Sequence, residues 1–251
     1  MIVFITGATA GFGLAIARRF IQTGHRVIAT GRRADRLDAL KAELGDAVLP
    51  LVFDVRDRDA VQQAVESLPS EWSAIAVLVN NAGLALGLDP AQRADLDDWE
   101  AMIDTNVKGL VYCTRAVLPG MVARNQGHIV NLGSIAADFP YPGGNVYGAT
   151  KAFVQQFSLN LRADLFGTAL RVTDIEPGLC GGTEFSEVRF KGDHDRAAAM
   201  YANVQPIMPE DIAETVEWVV SRPAHVNINI VSMMPVAQSF SPLAVHRVKP
   251  G

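Results

Sequence analysis

The sequence predicts an α/β fold: one domain on a doubly wound parallel sheet with helices on both faces. Three observations point there. Short β-branched and apolar runs alternate with longer amphipathic ones from the first residue onward, the pattern of strand–helix–strand units joined by right-handed crossovers. The short runs are apolar almost without interruption, as strands covered on both faces are. The first of them leads into a glycine-rich turn and then a helix, through Thr6-Gly7-Ala8-Thr9-Ala10-Gly11-Phe12-Gly13.

Taken in order, residues 2–6, 26–30, 48–53, 75–79, 128–132 and 170–175 read as strands, with a last short one at 228–231. Helical patterns fill 13–22, 34–44, 57–67, 96–124 and 147–166. A further helix over 210–220 follows Pro209; proline suits a first turn because its missing N–H has no partner there anyway. Residues 178–203 break the alternation. Rich in glycine and charge, they read as a loop with short helices, and the part from about 179 to 203 as a lid over the substrate. No repeat, linker or low-complexity segment divides the 251 residues, which suffice for one sizeable core.

Composition excludes several roles. Acidic residues outnumber basic ones 27 to 22, for a net charge of −5, which argues against a nucleic-acid surface with its clustered basic groups. No apolar run has the length of a membrane span; the most apolar stretch, 75–88, is broken by Asn80, Asn81 and Gly83. The N-terminus lacks the charged region and cleavage site of a secretory signal. Cys113 and Cys180 have neither metal-ligand spacing nor a disulfide framework. A cytoplasmic protein without a metal is expected.

The glycine turn carries the first chemical signal. A strand, a glycine turn and a helix N-terminus make an anion site, because unpaired N–H groups and the helix dipole both favour negative charge. Glycines let the backbone approach a pyrophosphate closely. The spacing is Gly-x-x-x-Gly-x-Gly rather than the commoner Gly-x-Gly-x-x-Gly. At its end the second strand reads Ala29-Thr30-Gly31-Arg32-Arg33. An acid there would accept from a free ribose hydroxyl and select NAD. Two arginines match a phosphate instead, in charge and in fork geometry, so the coenzyme expected is NADP.

Tyr147 and Lys151 carry the second. Residues four apart share a helix face, so a phenol and an ammonium point into one cleft. A nearby positive charge favours the phenolate and lowers the tyrosine pKa, making a proton donor and acceptor for neutral pH. Ser134 lies just past the fifth strand in Asn131-Leu132-Gly133-Ser134, where ligands of such sheets bind, and its hydroxyl suits a substrate oxygen. Asn106 sits in the middle of a helix, where asparagine is a weak former, and so invites either a functional or an exposed position.

Together these motifs resemble the short-chain dehydrogenase/reductase family. The glycine turn, Asn80-Asn81-Ala82-Gly83, Asn106, Ser134, Tyr147 with Lys151, and Pro177-Gly178 stand in that family's order, spanning residues 6 to about 183. More narrowly the chain is similar to the NADP-dependent 3-hydroxy acid dehydrogenases. The narrower likeness lies in residues 7–13, 31–33, 143–147, 174–185, 188–192, 223–229 and 233–239. The resemblance implies a Rossmann-like domain, a homotetramer, and interconversion of serine, allo-threonine or 3-hydroxypropionate with oxo forms such as malonic semialdehyde. It implies that the carbonyl of Asn106 helps hold a water that relays protons through Lys151. Asp54 and Val55 would meet the adenine, although Asp54 would equally suit a cap for the next helix. Asn81, Ala82 and Gly83 would approach the ribose. Pro177-Gly178-Leu179-Cys180-Gly181-Gly182-Thr183, continuing into Glu184 and Phe185, would hold the nicotinamide end. Ile135, beside the serine, narrows or dries the pocket, and Cys180 is a small apolar filler.

A hydroxy acid needs a cation near its reacting carbon. Lys151 is engaged, which leaves Arg189 and Lys191 of the lid, with Arg189's bidentate fork the better match to a carboxylate. The long helices are expected to pair between subunits, with Val107, Leu110, Val111 and Val154 as a seam unless the monomer buries them. Alternative readings are a general ketone or aldehyde reductase and a non-catalytic NADP-sensing protein. A sugar epimerase shares the Tyr and Lys spacing, but the chain is too short for its added substrate domain.

Overall fold

The computed structural model describes residues 1–240. Its strands are β1 (Ile2–Ile5), β2 (Arg26–Gly31), β3 (Val48–Val52), β4 (Ile75–Asn80), β5 (Gly127–Leu132), β6 (Leu170–Pro177) and β7 (Ile230–Met233). They form one sheet in the order β3-β2-β1-β4-β5-β6-β7, parallel at every pairing. The helices are α1 (Gly11–Gln22), α2 (Ala34–Leu44), α3 (Arg58–Glu66), α4 (Leu96–Ile103), α5 (Leu110–Arg124), α6 (Asn145–Asp164), α7 (Phe185–Arg189), α8 (His194–Ala199) and α9 (Pro209–Val220).

Strand alternation sorts the core into two layers. Val3 and Ile5 of β1 pack on one face with Ile16 and Phe20 of α1 and Ile212 and Val216 of α9. Ile2 and Phe4 pack on the other, with Val117 and Met121 of α5 and Leu161 of α6. A fully buried side chain such as Phe4 or Phe20 contributes about 1.5–3 kcal/mol. Because β1 lies between β2 and β4, the chain winds outward in both directions from this point, and a crevice opens past the carboxyl ends of the strands.

Differences from the sequence reading have local causes. The predicted helix over 96–124 is one helical column but not a uniform one: Asp104–Gly109 between α4 and α5 is wound as a π-turn. Gly109 permits that path, since a Cβ there would meet Val55 Cγ2 at 2.7 Å. α6 starts at Asn145, so Tyr147 lies in its first turn. β7 sits two residues later than expected. Leu110 and Val154 are buried within the monomer, whereas Val107 and Val111 are half-buried; Phe153, stacked on Phe157 at 5.7 Å, and Leu159 are exposed along α6. Among the described residues no helix is long and apolar enough to cross a membrane.

Candidate active site

The glycine turn is built as an open cradle. Gly7 and Gly11 take φ of +69° and +50°, a conformation that favours glycine. A Cβ on Gly13 would stand 2.3 Å from the Gly7 carbonyl oxygen, so the turn folds tightly onto the start of α1. Ala10 caps that helix without any side-chain hydrogen bond, leaving its first N–H groups for a ligand. The turn is stitched to β4: Asn81 Nδ2 donates to the Thr6 and Gly7 carbonyls at 2.8 and 3.0 Å. Thr6 Oγ1 accepts the N–H groups of Asn81 and Ala82, each at 2.9 Å. A cleft of about 960 Å³ extends from this cradle past β4 and β5 to α7, a volume suited to a small-molecule site.

Most residues assigned to a coenzyme line the cleft, including Thr9 to Phe12, Arg32, Arg33, Asn81 to Gly83 and Pro177 to Cys180. Four do not. Ala8 is buried, with its N–H given to the Thr30 carbonyl. Gly13 packs on Gly7, Gly181 faces Pro206, and Gly182 turns at φ +67° against Met208 and Pro209. These four shape the walls. The orphaned helix-end amides, the cradle and the arginines fit the diphosphate and 2′-phosphate of NADP.

The two arginines are unequal. Arg33 donates to Thr9 Oγ1 at 2.9 and 3.2 Å and to Glu184 at 2.8 Å. Arg32 is 64% exposed and lies 3.8 Å from Asp54. Sequence reading missed Arg36, which binds the other Glu184 oxygen at 2.7 Å. Its signal was available, because i and i+3 share a helix face and Arg33 and Arg36 open α2. Burial disfavours ionised Glu184, but the hydrogen bonds from Arg33 and Arg36 prevail and hold its carboxyl below the ordinary value. Asp54 does not cap α3; Asp57 does, accepting from the N–H groups of Asp59 and Ala60. Asp54 is gripped by Arg56 at 2.6–3.1 Å, which against burial keeps its pKa low.

At the other end Tyr147, Ser134 and Lys151 are brought together, all buried. Lys151 Nζ donates to the Leu132 carbonyl at 2.7 Å and lies 5.8 Å from the centre of the Tyr147 ring. Ser134 Oγ accepts from the Ala136 N–H at 3.1 Å and donates to the Pro177 carbonyl at 3.4 Å. The expected lowering of the Tyr147 pKa is overturned. Burial pushes the phenol up to about 12, against the opposing pull of Ser134 and the Arg189 charge. Burial likewise pushes Lys151 down to about 8, with Asp174 pulling the other way.

Asn106 is buried, not an exposed helical residue. Its Oδ1 accepts the Leu84 N–H at 2.9 Å, and its Nδ2 donates to the Leu84 carbonyl at 2.8 Å and to Thr150 Oγ1 at 3.0 Å. The π-turn thereby clips the loop after β4 to α6, beside the turn that carries Tyr147 and Lys151.

Helix α7, after β6, brings Arg189 over this site. Its guanidinium lies 5.4 Å from the Tyr147 ring and 5.9 Å from Phe185, and Nη2 donates to the Tyr141 hydroxyl. The Arg189 carbonyl accepts from Gly87 N–H at 2.9 Å, which docks α7 on the loop after β4. Lys191 points elsewhere, to Asp98 at 2.9 Å and Asp95 at 3.6 Å. Tyr141, another residue missed in sequence, sits among Phe139, Pro140 and Pro142 in a stretch without periodicity. Ile135 lines the cleft, and burial pushes the Cys180 thiol up to about 12. Among the described residues no cluster is arranged for a metal.

Comparison with known proteins agrees with this geometry. Residues 1–193 match the model of the short chain dehydrogenase family. The NADP-dependent 3-hydroxy acid dehydrogenase YdfG of Salmonella typhi is 68% identical over 247 residues, covering 98% of this chain and 100% of that protein. Serine 3-dehydrogenase of Agrobacterium fabrum is 53% identical, covering 98% of each. Among solved structures, the closed form of a serine dehydrogenase complexed with NADP+ superposes with a TM-score of 0.98 at 66% identity, covering 99% of this chain and 100% of that one.

Proposed function

This chain belongs to the short-chain dehydrogenase family, and from that premise we propose that it is an NADP-dependent oxidoreductase interconverting 3-hydroxy acids with their 3-oxo forms. Serine, allo-threonine and 3-hydroxypropionate are its alcohols, and malonic semialdehyde is a representative product. The observation that carries the reading is Arg189 facing the Tyr147 ring at 5.4 Å, a cation beside the proton-transfer group. The names of the similar enzymes support the same substrate class.

NADP supplies hydride transfer when bound. The chain does the rest. Tyr147 takes the hydroxyl proton in oxidation and returns it in reduction. Ser134 orients the reacting oxygen. Lys151, held by the Leu132 carbonyl, keeps a positive charge near the phenol and favours its ionised form. The Asn106 side chain holds the loop and α6 in register, while its backbone carbonyl takes the water of the relay. Arg189 pairs with the substrate carboxylate, and the docked lid excludes water. The enzyme is read as a cytoplasmic homotetramer, a state that light scattering at micromolar concentration tests; a monomeric mass removes it.

A substrate panel tests the activity. Serine and 3-hydroxypropionate with NADP should turn over far better than simple alcohols, and malonic semialdehyde with NADPH better than simple ketones. Equal rates on simple ketones would make it a general carbonyl reductase. Tight NADPH binding with no turnover of any kind would make it a sensor.

A further inference from the structure

Two acids lie where the reaction so far has no use for them. Asp174 and Glu176 alternate on β6, so both side chains leave the same face of the sheet, the one covered by α6. Asp174 is 0% exposed and Glu176 is 1% exposed. Asp174 lies opposite Asn131 of β5, and a Cβ on Gly133 would come within 2.5 Å of its Oδ1. Gly133 stands between Leu132, whose carbonyl takes the Lys151 ammonium, and Ser134. The acid therefore sits under the strand end that carries the catalytic groups.

Neither Asp174 oxygen nor Glu176 Oε2 has a hydrogen-bond donor among the described residues, because the Gly133 N–H beside Asp174 goes to the Ile175 carbonyl at 2.7 Å. Glu176 Oε1 accepts from Gln155 Nε2 at 3.0 Å, and the same amide reaches the exposed Asp138 at 3.0 Å. The ionisable groups facing the pair are Lys151 from α6 and Asp138 from the turn after Ser134. His128 and Arg171 alternate onto the opposite face of the sheet.

Charge balance limits what this pocket holds. An unpaired buried charge is costly. One ammonium beside two carboxylates is neutral only if one acid keeps its proton. A shared proton also supplies the donor that these oxygens lack. We propose that Asp174 and Glu176 share one proton and act together as the buried counter-ion of Lys151, positioning residues that keep its ammonium charged while the enzyme works. Their electrostatics agree: burial pushes Asp174 up to about 8, its neighbour Glu176 adds to the rise, and Lys151 opposes it. Glu176 is raised as well, first by burial. The functional half rests on Lys151 acting as a charged group in the proposed reaction; the shared proton does not.

Two readouts separate these halves. Infrared difference spectra of the free protein at neutral pH should contain the carbonyl stretch of a protonated buried acid. Asp174→Asn and Glu176→Gln should each abolish it, because the remaining acid then ionises against Lys151. Absence of the band in the wild type, or its persistence in both variants, overturns the shared proton whatever the activity. Each single variant keeps one carboxylate and should keep the alkaline limb of the kcat profile. The double variant leaves Lys151 without a counter-ion. Its alkaline limb should move to lower pH, with kcat near pH 8 falling about tenfold or more, one pKa unit being a factor of ten in the charged fraction. NADPH binding by fluorescence shows that the variant is folded. An unchanged profile in a folded, active double variant overturns the counter-ion role.

Discussion

The two ends of the cleft are built on different plans. The coenzyme end is mostly backbone and neighbours in sequence: a turn at the end of β1, and arginines at the end of β2. The proposed substrate end is side chains gathered from far apart, with the rings of Tyr141, Tyr147 and Phe185 meeting around the Arg189 guanidinium. A ligand common to many enzymes can be held by main-chain geometry. A ligand that varies between them is read by side chains on a replaceable lid.

The largest effect should come from the substrate end. Tyr147→Phe should lower kcat at least about a hundredfold while NADPH still quenches fluorescence, since it removes the general acid–base group. More than about a tenth of the wild-type rate would end the division of labour described here.

Arg189→Ala should come next. Losing one charge-assisted pair costs about 1.5–3 kcal/mol, or roughly ten- to a hundredfold in KM for serine or 3-hydroxypropionate. An uncharged alcohol should be spared; equal losses on both would show that Arg189 does not read the carboxylate.

At the coenzyme end, Arg32→Ala with Arg33→Ala should raise KM for NADP far more than for NAD, by about tenfold for each charge-assisted hydrogen bond to the phosphate that is removed. The geometry sharpens this: Arg33→Ala alone should cost more than Arg32→Ala, because Arg32 is mostly exposed. If NAD suffers equally, the arginines do not read the phosphate.

Glu184→Gln should have the smallest effect. Its ion pairs with Arg33 and Arg36 are partly exposed, and such pairs are worth about 0–1 kcal/mol. A change of a few-fold in KM for both ligands, weakening in high salt, would mark it as a tie between the two ends. A large effect on NADP alone would assign it to the coenzyme end.

The same contrast decides what the sequence reveals. The order of strands and helices, the glycine turn and the pair Tyr147 and Lys151 are legible because each is local, fixed by alternation, helix spacing or one turn. Arg36 was legible in principle, three residues from Arg33, once both are placed on α2. Tyr141 was not: its loop has no period, and its partner Arg189 lies 48 residues away. The Tyr147 pKa was misjudged because sequence shows the neighbouring charge but not the depth of burial, which dominates. The π-turn was only half legible: Asn106 and Gly109 mark 104–109 as a weak stretch of helix, but nothing local says that it widens rather than breaks.

That turn also sets what the gene can lose. Residues 104–109 accommodate an extra residue within a helical column. A one-residue deletion there would relax the column to regular winding, which any helix prediction would score as an improvement. Because the turn takes up the extra residue, α4 and α5 would keep nearly the same relative orientation, and what would move is the bulged backbone itself. Asn106, whose side chain joins the Leu84 backbone to Thr150, would swing off the loop that runs on to Gly87, where the Arg189 carbonyl docks. Single-residue deletions across this segment should therefore leave a well-folded sheet and a failed enzyme, while insertions in the turn after α2 should pass unnoticed.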